Sequence, residues 1–96
     1  MEQKIKLRHP AGKKTISMDK DKYDVMKNAI LNCLQANGES THTEILKTIS
    51  DYFKANDIKF DSSIEWHMEW VKLDMESAME IKRIADKSPI KFKLIE

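Results

Sequence analysis

The side chains in this 96-residue chain with the clearest chemistry are its bases, and they gather at the two ends. Lys4, Lys6, Arg8, Lys13 and Lys14 stand against Glu2 alone in residues 1–18, and Lys82, Arg83, Lys87, Lys91 and Lys93 stand against three acids in residues 78–96. Ammonium and guanidinium groups bind phosphate by displacing condensed counterions. The two basic ends therefore form a candidate nucleic-acid footprint, provided that the N-terminal strand lies beside the C-terminal hairpin. Lysines on edge strands also have a purely structural use, because they block edge-to-edge aggregation. Between the ends the charge reverses: residues 61–77 carry Lys72 against Asp61, Glu65, Glu69, Asp74 and Glu76. The formal net charge of +1 conceals this basic, acidic, basic order.

The acidic stretch also holds the residues that would read base edges. Ser62, Ser63 and His67 are usable hydrogen-bonding groups near a helix start, whereas Glu65 and Glu69 repel phosphate. Trp66 is expected in the core, and Trp70 with Leu73 on a second apolar side that could support a homodimer or a protein partner. Catalytic and metal chemistry is poorly served. His9, His42 and His67 are far apart in sequence, nothing has zinc spacing, and Gly12 and Gly38 alone cannot build a phosphate-cradling loop. Asp74 and Glu76, two apart on a helix, point in different directions, and Glu76 is better placed to pair with Arg83. Cys33 lies on an apolar helix face, as a buried small residue would. The expectation is a non-enzyme with no cofactor and no metal.

These residues need elements to carry them. Ile5 and Leu7 alternate with Lys4, Lys6 and Arg8, the period of a half-buried strand. Pro10-Ala11-Gly12 is a turn, and Ile16 and Met18 resume the alternation. Asp19 is a candidate N-cap, after which Tyr23, Met26, Ala29, Ile30, Cys33 and Leu34 follow helical spacing up to Asn37-Gly38. Thr41-His42-Thr43-Glu44 is a capping box for a second helix with Ile45, Leu46, Ile49, Tyr52 and Phe53 on its apolar face. Ile58 and Phe60 are expected to tuck against the core from the connection. Ser62-Ser63-Ile64-Glu65 is a second capping box and opens a third helix. On that helix Ile64, Met68, Val71 and Met75 share one side, Trp66, Trp70 and Leu73 the other, and Glu65, Glu69 and Lys72 the polar strip between. The period then changes: Ile81–Ile84 and Ile90–Leu94 read as two strands around an Asp86-Lys87-Ser88-Pro89 turn.

Length predicts a single domain over residues 1–96, and the mix of strand and helical patterns makes it α+β. No apolar run reaches the roughly 20 residues of a membrane span, and one cysteine without a partner suits the reducing cytoplasm. The order strand, helix, helix, helix, hairpin resembles the winged helix-turn-helix superfamily over nearly the whole chain. It is similar, more narrowly, to a family of small bacterial winged-helix proteins of uncharacterised function. The matching residues are His9-Pro10, Asp19-Lys20-Asp21-Lys22-Tyr23, Trp66, Val71, Leu73-Asp74-Met75-Glu76-Ser77, Ile81 and Arg83. Two positions depart from that pattern: Glu69 stands where the family has lysine, and Ala78-Met79 where it has glycine. The resemblance implies three helices with an N-terminal strand or hairpin and a C-terminal β-hairpin wing. The corresponding function is DNA-binding and transcription-associated, with phosphate contacts from the wing and the N-terminal strand. The alternative on the same fold is a protein-interaction or homodimerisation module that does not touch DNA.

Overall fold

The computed structural model describes residues 3–60, 63–84 and 89–95. Among these the chain forms three helices and two small antiparallel sheets, an α+β arrangement. Strands β1 (Lys4–Lys6) and β2 (Ser17–Asp19) pair as an N-terminal hairpin, with Ile5 opposite Met18. Helix α1 (Lys20–Asn37) follows directly and buries Tyr23, Met26, Ala29, Ile30, Cys33 and Leu34, the i, i+3, i+4 stripe read from the sequence. Asp19 precedes α1 without a side-chain capping bond, because its carboxylate pairs with Lys4 across the hairpin. Gly38 ends the helix at φ 70°, a left-handed conformation that glycine adopts without strain, and its N–H reaches the Leu34 carbonyl at 2.9 Å.

Strand β3 is only Ser40–Thr41, and Thr41 also caps helix α2 (His42–Ala55). The capping box forms as expected: Thr41 Oγ1 accepts from Glu44 N–H at 3.1 Å, and Glu44 Oε1 accepts from Thr41 N–H at 2.8 Å. These bonds hold the Glu44 carboxyl below the usual range. Helix α3 (Ile64–Ser77) opens one residue later than the sequence suggests. Its cap is Ser63, whose Oγ accepts from Trp66 N–H at 3.1 Å; the expected cap, Ser62, lies outside the described residues. Both α2 and α3 close with the paired carbonyl bonds of a Schellman turn, and neither uses glycine. Asp57 (φ 52°) and Met79 (φ 61°) occupy the left-handed position, with Ile58 N–H on Phe53 O at 2.8 Å and Glu80 N–H on Met75 O at 2.9 Å.

Strands β4 (Ile81–Ile84) and β5 (Lys91–Leu94) form the C-terminal hairpin. Asp86, Lys87 and Ser88 of the expected turn lie outside the described residues. The order of this sheet is β3-β5-β4, so a two-residue strand between the first helices ties the hairpin to the helical layer. Its core-facing side carries Ile81, Phe92 and Ser40, all buried, and they join Met68, Val71, Met75, Ile45 and Ile49. Ile58 and Phe60 pack against this core as anticipated; Phe60 stacks on Phe53 at a centroid distance of 5.6 Å.

Candidate functional site

Helix α3 organises the molecule because three of its faces are occupied differently. Its apolar face, Met68, Val71 and Met75, is completely buried. A second face buries polar groups. Asp74, 2% exposed, accepts the Arg8 backbone N–H at 2.8 Å, the Arg8 Nε–H at 3.3 Å and the Tyr23 hydroxyl. One carboxylate thereby ties the N-terminal segment and α1 to α3. Burial, followed by the bond to Asp74, pushes the Tyr23 hydroxyl pKa up. The Asp19–Tyr23 and Leu73–Ser77 motifs thus meet in space as a structural latch.

Lys72 was expected on a solvated strip with Glu65 and Glu69; instead it is 2% exposed. Its Nζ lies 3.9 Å from the centre of the Phe92 ring and 2.8 Å from His42 Nδ1. His42 Nε2 is 3.0 Å from Glu65 Oε2, and its Nδ1 is 3.5 Å from Glu69 Oε2. Burial pushes the Lys72 ammonium down to about 8, against the opposing pull of Glu69 and Glu76. Helical spacing puts Lys72 at the edge of the polar strip, where Phe92 of β5 and His42 then cover it.

The third face is open. Trp66, expected in the core, is 45% exposed, and its indole stands 6.4 Å from that of the partly buried Trp70. Leu73 continues the stripe half-buried, while Glu65 and Glu69 border it, exposed. Of the candidate base-reading residues, Ser63 is spent on the helix cap. His67 is 6% exposed, with Nδ1 bound to Ser63 O at 2.8 Å and its ring between Phe60 and Trp66. That burial removes His67 from any groove-facing role.

The basic residues separate. Lys4, Lys6 and Arg8 lie on or just beyond β1, which pairs with β2 and not with the C-terminal hairpin. The adjacency that a pooled footprint requires is therefore missing from the strand order. Arg8 is held by Asp74, and Arg83 by Glu76 at 3.2 Å, the ion pair foreseen from sequence. Lys13 and Lys14 are exposed in the turn of the N-terminal hairpin. Lys82 stands directly opposite Lys93, and Lys91 opposite Ile84, so three lysines share the outward side of β4 and β5. Lys87 and Ser62 lie outside the described residues.

Fold and site together define a small α+β domain whose central helix buries one polar face and exposes one apolar face. The family model described as "Family of unknown function (DUF6958)" matches residues 4–92, and the chain belongs to that family. No curated protein and no solved structure matches the chain. Among the described residues no group of three or more His, Cys, Asp or Glu could hold a metal ion, and no helix is long and apolar enough to cross a membrane.

Proposed function

We propose that this chain is a winged-helix domain working as a protein-interaction module, and that the surface it pairs through is the outer face of α3. Three helices followed by a hairpin that packs on the third support the winged-helix reading. The observation that carries the functional reading is Trp66, 45% exposed beside Trp70 on a helix rimmed by Glu65 and Glu69. An exposed indole one turn from a second, partly buried one is a typical anchor of a protein interface. The two glutamates would meet phosphate oxygens if this helix entered a groove, and like charges there are costly.

The occupant is a second copy of this chain. Antiparallel packing of two α3 helices about Trp70 puts the two Glu65 side chains at opposite ends of the seam while the indoles interleave. Sedimentation equilibrium tests this: a concentration-dependent dimer is expected, with Trp66→Ala and Trp70→Ala shifted towards monomer. A strictly monomeric wild type at high concentration contradicts it.

A second reading rests on a separate observation, the shared outward side of Lys82, Lys91 and Lys93. Like charges directly opposite on a sheet repel, and a polyanion such as duplex DNA would relieve that repulsion. This reading expects retardation of duplex at low salt that is lost when the three lysines become alanine. No retardation of the wild type removes it.

A further inference from the structure

A cleft of about 420 Å³ opens between the first turn of α2, helix α3 and the C-terminal hairpin, with His42, Glu69, Lys72, Arg83 and Phe92 among its walls. We infer that Lys72 is a nucleophilic amine in this cleft, one that captures a small anionic aldehyde or α-keto acid as an imine. Four features support the assignment. The amine is desolvated and stands on an aromatic face, 3.9 Å from the Phe92 centroid. Its described hydrogen-bond partner is a ring nitrogen, His42 Nδ1 at 2.8 Å, rather than a carboxylate, and no described acid lies within ion-pairing distance of it. His42 Nε2 lies 3.0 Å from Glu65 Oε2, and the tautomer that donates there presents Nδ1 to Lys72 as an acceptor. Arg83 lines the same cleft with one of its five donors bound to Glu76, so guanidinium N–H groups remain to hold an anionic substituent.

Burial adds to this, because an ammonium lowered to about 8 offers free amine near neutral pH. The step balances without any further reactant. The Nζ lone pair forms a bond to the carbonyl carbon, and the carbonyl π pair moves to its oxygen. The first proton released from Nζ passes by way of His42 Nδ1 to that oxygen, giving the neutral carbinolamine. Its remaining N–H proton, carried by the same ring nitrogen, leaves with the hydroxyl as water, and C=N forms. Amine and carbonyl give imine and one water, with no change in oxidation state.

Glyoxylate is the probe, trapped with sodium cyanoborohydride near neutral pH and located by peptide mass mapping of the whole chain. The expected result is carboxymethylation of Lys72 at reagent levels that leave exposed Lys6, Lys13 and Lys82 unmodified. His42→Gln should slow labelling at Lys72 by about tenfold or more, the low end of a general base's contribution, without changing labelling of Lys13. Butyraldehyde, which lacks the anionic group, should label Lys72 more slowly than glyoxylate does. Labelling that follows exposure and spares Lys72 overturns the inference, as does a Lys72 rate indifferent to His42→Gln in a variant with the wild-type circular dichroism. Mapping the wild type decides the site even if Lys72→Met fails to fold.

Discussion

Two outward surfaces, the open face of α3 and the open side of β4 and β5, flank the same core yet are built for different neighbours. The helix presents Trp66, Trp70 and Leu73 bordered by Glu65 and Glu69; the hairpin presents Lys82, Lys91 and Lys93. In a winged helix that reads DNA, both surfaces would have to tolerate the same polyanion. Here one is bordered by glutamates and the other carries lysines. The charge order along the sequence therefore becomes a division between surfaces, and indoles supply the adhesive chemistry of one while lysines supply the electrostatics of the other. The N-terminal hairpin, also basic, belongs to a separate sheet, where Lys4 pairs with Asp19 of β2 and Arg8, just beyond β1, with Asp74 of α3.

The strongest way to break this comparison is to release the helix that sets it up. Asp74→Ala strands the Tyr23 hydroxyl and the Arg8 N–H in the interior, so urea unfolding should show a loss of about 3 kcal/mol. Next in size is a change at the indole face. Trp70→Ala should weaken the dimer by about 2 kcal/mol, roughly thirtyfold in dissociation constant. The triple change of Lys82, Lys91 and Lys93 to alanine should leave dimerisation unaltered. If duplex binding is detected, the triple change should lower its salt slope by about 0.9 per lysine.

The polar groups beneath both surfaces give a pH signature. Lys72 is lowered in the folded state, so between about 8 and its ordinary 10.5 the unfolded chain binds more protons and stability rises with pH. Tyr23 is raised, so above the ordinary phenol value of 10.0 the folded state holds the extra proton and stability falls again. Urea unfolding across this range should show a rise on the order of 1 kcal/mol that turns over near pH 10. In Lys72→Met the rise should vanish and only the fall remain. The smallest effect is expected at Met79, 73% exposed and left-handed at the end of α3. Met79→Gly should raise stability by roughly 0.5–1 kcal/mol in the same assay, by relieving the strain of a side chain in that conformation.

Most of the fold was legible because its signals are local. The Thr41–Glu44 box, Gly38, the helical stripe from Tyr23 to Leu34 and the alternation of Ile81–Ile84 each act within a few residues. Strand β3 left no trace, since two residues cannot show a period and Ser40-Thr41 reads equally well as a helix cap. The candidate site was less legible, for tertiary reasons. Lys72, His67 and Trp66 have wheel positions near the boundary between faces, where a packed neighbour decides burial. Phe92 and His42 cover Lys72, Phe60 covers His67, and no described neighbour covers Trp66 to the same degree. The ion pair between Glu76 and Arg83 was readable because a single turn separates the two elements that carry it.

The central claim, that the indole face of α3 is a pairing surface, is tested most directly by tryptophan emission over a dilution series. Trp66 and Trp70 are the only two tryptophans in the chain and both lie on that face. The emission maximum should sit towards the blue at high concentration and move to the red on dilution, in step with the dimer fraction from sedimentation. An emission maximum that stays at the position of a half-exposed indole at every concentration would contradict the account.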